Sequence, residues 1–228
     1  MLQILEDQRG SIWVGTFDRG LLELDAAGRL VRIFHHDAQA GDSLSSDDVR
    51  AVLEDQAGHL WVGTADGLDL LDRSSGRIDH YRQDPNDPES LQDSTIISLY
   101  QDQASLLWIG TKSGGVSRWN PHSWQLGGQR PEWLRDKLVT AFADAPERRV
   151  WIASLGGGVA QFDPSTGQVV DIDTVAGRAN VLPDKRVMSL RRDRRGALWI
   201  GTMAHGMLQL VDDKVRTIPV KPGDPHAL

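Results

Sequence analysis

The residues able to do acid–base or metal chemistry in this chain are its carboxylates and its seven histidines, since it has no cysteine. Disulfides and thiolate metal sites are therefore excluded. The most tempting pattern is Asp7, Asp55, Asp102, Asp144 and Asp193, which recur at long, nearly regular intervals, each a few residues before a tryptophan. Metal binding or acid–base work needs such groups to converge on one point. Residues repeated once per structural unit sit far apart instead. These aspartates read as turn formers whose carboxylates cap local N–H groups, and no metal is expected on them. The histidines are equally scattered, so no catalytic residue is assigned.

The elements that hold these residues are set by a repeat. Ile12-Trp13-Val14-Gly15-Thr16 returns as Leu60-Trp61-Val62-Gly63-Thr64, then as 107–111, 150–154 and 198–202. Trp13, Trp61, Trp108, Trp151 and Trp199 are 48, 47, 43 and 48 residues apart. A fixed period in this range marks a repeat architecture. Around each tryptophan lie an apolar run ending in a turn, the tryptophan run itself, an alternating run after glycine, and a fourth run, each separated by Asp/Gly/Ser turns. No connection is long enough for a crossover helix, so neighbouring strands are antiparallel. Four short antiparallel strands repeated five times define an all-β propeller. The expected blades are 2–36, 48–83, 95–127, 138–173 and 186–220. The tryptophans are expected to be buried between blades, with the following glycine allowing close backbone approach.

The run Ser43-Leu44-Ser45-Ser46-Asp47-Asp48-Val49, followed by Asp55 to Leu68 with its Leu-Trp-Val-Gly-Thr core, resembles the two-component-regulator propeller repeat. The WD40 signature of Gly-His and Trp-Asp pairs is absent. The resemblance implies a periplasmic sensor region of a bacterial hybrid histidine kinase or diguanylate cyclase receptor. It also implies a ring of about seven blades, of which the five here are expected to be a part. The tail 221–228 resembles the lead into another blade. Five blades taken from a larger ring should form an open arc with apolar faces at its ends, prone to self-association.

Composition narrows the partners. Apolar residues make up 39% and charged residues 25%, which suits a globular chain. The net charge of −7 repels a phosphate backbone, so a nucleic-acid role is not expected. No apolar run reaches membrane-spanning length, and the N-terminal residues read as a strand rather than a signal peptide. No cofactor is implied.

The candidate ligand surface is the channel face, where the loops between second and third strands meet the blade-to-blade connections. It carries Phe17, Asp18, Arg19, Asp66, Lys112, Ser113 and His205. Trp133, between Arg130 and Arg135, can stack on a sugar or aromatic ring. This mixed-charge rim suits a polar small molecule or an oligosaccharide. Each of these side chains is equally compatible with a plain solvated turn, and Trp133 with packing against its own loop. Two other functions remain open: a protein-binding scaffold, and a polysaccharide lyase or hydrolase that would need convergent His/Tyr/Arg/Glu groups at the channel mouth. Asp18, Asp66 and His205 are the groups that would have to meet.

Overall fold

The computed structural model describes residues 3–121, 123, 125–129 and 131–218. The expected first-strand start at Leu2, the blade 5 end at Val220, the tail 221–228, and His122, Trp124 and Arg130 lie outside them. The described residues form five four-stranded antiparallel sheets, each in simple sequential order. Blade 1 is β1 (Gln3–Glu6), β2 (Ile12–Gly15), β3 (Leu21–Leu24) and β4 (Leu30–Phe34). Blade 2 is β5 (Val49–Glu54), β6 (Leu60–Thr64), β7 (Gly67–Leu71) and β8 (Ile78–Tyr81). Blade 3 is β9 (Ile96–Gln101), β10 (Leu107–Thr111), β11 (Val116–Asn120) and β12 (Gln125–Gln129). Blade 4 is β13 (Leu138–Asp144), β14 (Val150–Leu155), β15 (Gly158–Phe162) and β16 (Val169–Asp171). Blade 5 is β17 (Val187–Arg192), β18 (Leu198–Thr202), β19 (Met207–Val211) and β20 (Lys214–Ile218). The protein is a β-propeller array of five blades.

The core is not one cluster but four, one per seam between consecutive blades. In the first seam Trp13, Leu21 and Phe34 of blade 1 meet Val52, Leu60, Val62, Leu71 and Ile78 of blade 2. Strand alternation explains the division of labour. Trp13 and its neighbours point to one face of their sheet, and the intervening residues point to the other. Every seam joins the tryptophan face of one blade to the opposite face of the next. Trp13, Trp61, Trp108 and Trp151 are 0–3% exposed. Trp119, on the third strand of blade 3, adds to the second seam with its ring 4.9 Å from that of Trp61.

In blades 1, 2 and 3 the glycine after the tryptophan run is where the next inner strand passes. A Cβ on Gly63 would lie 2.6 Å from Ile96 Cγ2, and one on Gly15 would lie 2.9 Å from the Val49 carbonyl. Blade 4 has Ala153 here, fully buried, in keeping with the need for a small residue.

The turn aspartates have a second role that the sequence did not reveal. Asp7 Oδ1 accepts from the Arg9 and Ser11 amides, while Oδ2 accepts from the Trp13 indole N–H at 2.8 Å. Asp55, Asp102 and Asp193 serve Trp61, Trp108 and Trp199 in the same way. The carboxylate is thus a strut between turn and seam. At Asp7 and Asp55 burial pushes the carboxyl pKa up, but the indole and backbone donors outweigh it and hold the group below its ordinary value. At Asp193 the Trp199 indole N–H is the leading cause of a lowered value.

Blade 4 breaks this rule and corrects the expected register. The strut position lies six residues before the tryptophan, and in blade 4 it holds Ala145, not Asp144. Asp144 instead ends β13 and accepts from Gln103 Nε2 at 3.2 Å. The turn that follows is a 3₁₀ turn (Pro146–Arg148) with Glu147 and Arg148 at φ 58° and 59°. Without glycine the chain accepts two left-handed non-glycine residues, an uncommon and strained arrangement. Ser105, replacing glycine in blade 3, likewise takes φ 63°. Blade 4 also ends in a short helix, α1 (Ile172–Val175), which the strand pattern did not predict. Its Asp171 side chain caps the Asp173 amide.

The packed seams run from β1 to β5, β9, β13 and β17 in turn. At the two ends the faces are only partly covered. On blade 1, Ile4 is 56% and Ile33 39% exposed. On blade 5, Trp199 is half-buried, unlike its four counterparts.

Candidate functional site

The channel face is built by one device used in four of the five blades. Thr16, Thr64, Thr111 and Thr202 end the second strand, and each donates its hydroxyl to the carbonyl of the glycine that closes the loop (Gly20, Gly67, Gly115 and Gly206). The loops are then tied to the incoming connections. Gly20 N–H donates to Asp47 O, Ala65 N–H to Asp48 O, Lys112 N–H to Thr95 O and Met203 N–H to Arg186 O. Second-to-third loops and blade connections therefore share one face, held by backbone bonds. Blade 4 uses Ser154, whose buried hydroxyl has no partner among the described residues.

Inside this rim the inner strands converge on a cavity of about 720 Å³. Its lining is chiefly apolar, with Phe17, Leu99, Leu138, Phe142, Met188 and Leu190, and includes Ser98, Thr140 and Ser189; the Ser98 and Thr140 hydroxyls donate to Val139 O and Val187 O. Arg50 is the one charged residue in that lining. Its guanidinium is clamped on Asp48 Oδ2 at 2.6 and 3.0 Å, so its charge is neutralised locally. Phe17 is 65% and Met188 49% exposed. Solvent-facing apolar side chains around a concave site are the usual lining of a ligand pocket.

The residues singled out from sequence occupy the rim, and none except Phe17 lines the cavity. Asp18, Arg19, Lys112, Ser113 and His205 are exposed. Asp66 is exposed and lies 3.5 Å from Arg82. The Ser113 amide and hydroxyl both donate to Asp93. His205 Nδ1 lies 3.5 Å from Asp184, which is already held by Arg186. Those Arg186 contacts keep the Asp184 carboxyl below its usual range, with the Arg186 side chain the leading cause. His205 thus leans on Asp184 rather than meeting Asp18 or Asp66. Trp133 packs beside Leu134 against the third seam and is half-buried, and Lys137 Nζ donates to its carbonyl. Its position is that of a core lid on the connection, and its ring is not in the cavity wall.

What the sequence reading missed lies on the inner strands. Met188, Ser189, Thr140 and Leu138 read there as generic strand residues. Their exposure follows from the channel, which exists only once the blades are arranged. A second missed feature is the cluster Ser45, Asp69 and His80. Fully buried Asp69 accepts from the Ser45 amide and hydroxyl, and His80 Nδ1 lies 2.7 Å from the same carboxylate. These are the residue types of a nucleophilic triad, but not its geometry. Serine and aspartate both approach Nδ1, whereas proton relay needs them on opposite ring nitrogens. Nε2 instead faces Gly41 O. The cluster staples the long blade 1–2 connection onto blade 2. Among the described residues no group of three or more His, Asp or Glu is arranged to hold a metal ion.

A β-propeller with a central cavity is a common platform for binding and for catalysis alike. The sequence model described as the two component regulator propeller matches residues 43–66, 90–113 and 181–204. Three of the five blades thus carry the two component regulator propeller repeat. Each match runs from a blade lead through the tryptophan strand of blades 2, 3 and 5. No curated protein matches the chain. Among solved structures it is similar to the extracellular domain of a hybrid two component system from B. thetaiotaomicron, at TM-score 0.77 and 19% identity. That match covers 96% of this chain and 28% of the other. A second domain of this kind from B. thetaiotaomicron aligns at TM-score 0.65 and 20% identity, over 100% of this chain and 34% of that one. The chain therefore spans about a third of these domains or less. Virginiamycin B lyase from Staphylococcus aureus is similar too, at TM-score 0.71 and 11% identity, over 96% of this chain and 70% of that one. At such identities the likeness is one of fold. No helix among the described residues is long and apolar enough to cross a membrane.

Proposed function

We propose that this propeller is a non-catalytic, ligand-sensing region of a bacterial signal-transduction receptor, facing the periplasm. Its ligand is a neutral polar molecule, an oligosaccharide in the first instance, seated at the channel mouth. The observation that carries this reading is the cavity. Its one cation is already paired, so charged ligands gain little there. Its apolar lining and the exposed ring of Phe17 match the apolar face of a sugar ring, and the polar rim around it matches the hydroxyl edge. A longer oligosaccharide reaches outward from Phe17 to the rim at Asp18, Arg19, Asp66, Lys112, Ser113 and His205. The sensor role is supported by the repeat type and by the fold shared with extracellular receptor domains.

Calorimetry with neutral hexaoses (cello-, xylo-, manno- and malto-) tests the proposal. Phe17→Ala, and Met188→Trp to fill the channel, should each weaken binding at least about tenfold, a loss near 1.4 kcal/mol. Binding that ignores both changes, or no binding by any member of the panel, overturns it. The exposed apolar side chains Phe17, Leu155 and Met203 around the mouth also favour a second reading, a scaffold that docks a protein there.

A further inference from the structure

The seam between blades 4 and 5 lacks a carboxylate that every other blade supplies, and it carries a cation where the other seams have an acceptor. We propose that this seam binds a small organic monocarboxylate, whose carboxylate group takes the place of the missing aspartate on the face opposite the channel mouth.

Four tryptophans define what is absent. Trp13, Trp61, Trp108 and Trp199 each donate the indole N–H to a carboxylate six residues earlier. The other oxygen of that carboxylate accepts two turn amides, as Asp7 does from Arg9 and Ser11. In blade 4 the position is Ala145, and the Trp151 indole N–H has no acceptor among the described residues. Trp151 is only 3% exposed, and a buried donor without an acceptor costs free energy. The group that the other blades place here is planar, charged and carries two acceptor oxygens.

Space and charge are both present. A cavity of about 390 Å³ opens beside Ala145, walled by Asp102 and Leu106 of blade 3, the blade 4 turn 145–149, and Arg192 of blade 5. Its own carboxylates are occupied. Asp102 accepts from the Trp108 indole and from the Ala104 and Leu106 amides. Asp144 accepts from Gln103, and Glu147 lies 3.3 Å from Arg149. Arg148 and Arg192, both exposed, have no carboxylate partner among the described residues. Arg192 ends its inner strand where Glu54, Gln101 and Asp144 stand in blades 2, 3 and 4, and each of those accepts from the blade before it. Here Pro146 has no N–H to give and arginine has no acceptor to offer. Relative to the first seam, the fourth has lost the counterparts of Asp7 and Glu54 and gained a guanidinium. Guanidinium with carboxylate is the strong, charge-assisted pairing, so an anionic carboxylate supplies what the seam has lost. The rest of the wall, with Ala104, Leu106, Pro146 and Pro164, is apolar. That suits one carboxylate on a short uncharged chain. The site shares no lining residue with the channel cavity.

Heteronuclear NMR of the 228-residue chain tests this through the Trp151 indole N–H, assigned by its loss in Trp151→Phe. Titration with sodium acetate and sodium butyrate should move that signal along a saturating curve, while the indoles of Trp13, Trp61, Trp108 and Trp199 stay in place. Sodium chloride at matched ionic strength should leave all five unmoved. Arg192→Glu, a change at an exposed side chain, should weaken the response at least about tenfold without moving the melting temperature by more than a few degrees. Ala145→Asp supplies the carboxylate from the chain itself. It should raise the melting temperature, shift the Trp151 indole without any added ligand and abolish its response to acetate. Arg192→Glu carries the test whether or not Ala145→Asp folds. A Trp151 signal that ignores both carboxylates, or moves as much with chloride, overturns the proposal. So does a titration unchanged in Arg192→Glu, or a folded Ala145→Asp that still responds as the wild type does.

Discussion

Blade 2 and blade 5 carry nearly the same sequence motif and live in different surroundings. Both have a Leu-Trp-Val/Ile-Gly-Thr strand and an aspartate strut on the indole. In blade 2 the tryptophan is buried against Leu91 of the blade 2–3 connection and Ile96, Leu107 and Ile109 of blade 3. In blade 5 it is half-buried, with Met207 and Ile218 beside it. The motif therefore encodes a surface, and the neighbour decides what that surface contributes. The inner faces obtain their stability from the seam and the end faces do not.

The largest test of this contrast is to remove the two tryptophans. Trp61→Ala should cost about 3–5 kcal/mol, the usual range for truncating a buried large side chain. Trp199→Ala should cost less than about half as much, because less apolar area leaves water there. Urea unfolding monitored by circular dichroism reads both, at protein concentrations low enough to avoid self-association. Equal costs would mean that blade 5 is covered in solution.

A smaller effect separates Gly63 from Gly201. Ala at 63 drives its Cβ into Ile96 of the next blade and should cost about 1–3 kcal/mol by overpacking. At Gly201 the near atom is Ser189 Oγ of the same blade, at 2.4 Å. A free hydroxyl can rotate away, so Gly201→Ala should stay within about 0.5 kcal/mol of wild type. Comparable melting points for the two variants would contradict the seam description.

The smallest effect concerns the struts and acid. The carboxyl pKa values of Asp7, Asp55 and Asp193 are lower in the folded chain than in an unfolded one. Their contribution is complete above about pH 4, the ordinary carboxylate value, and is lost as pH falls through the lower folded values. Asp55→Asn keeps an acceptor but loses the charge on it, which should cost about 1 kcal/mol at pH 7. It should also flatten the stability loss between neutral pH and pH 3, measured by urea titration at each pH. A variant with an unchanged acid slope would show that the strut does not titrate as described.

Much of the fold was legible beforehand because each blade announces itself locally. A fixed period, alternation and Asp/Gly turns specify four antiparallel strands without knowledge of the neighbours. The errors fell where one blade departs from the rest. Asp144 was aligned by identity, yet the strut depends on its spacing to the tryptophan, and that position is Ala145. At the channel face the loop residues were located, but the lining was not. Exposure of Met188 or Ser189 is a property of five strands meeting around an axis, which no single repeat encodes. The Ser45–Asp69–His80 staple joins the blade 1–2 connection to two strands of blade 2, and its members look unrelated in the chain.

The sequence alone determined the repeat, the strand order within each blade and the residue type each seam requires, since these follow from side-chain periodicity and local turn chemistry. Only the tertiary structure decided which of five similar tryptophans is buried, which strand residues enclose the cavity and which faces remain open. Burial is a relation between blades, and the strength of an apolar contact depends on the water that the neighbour excludes.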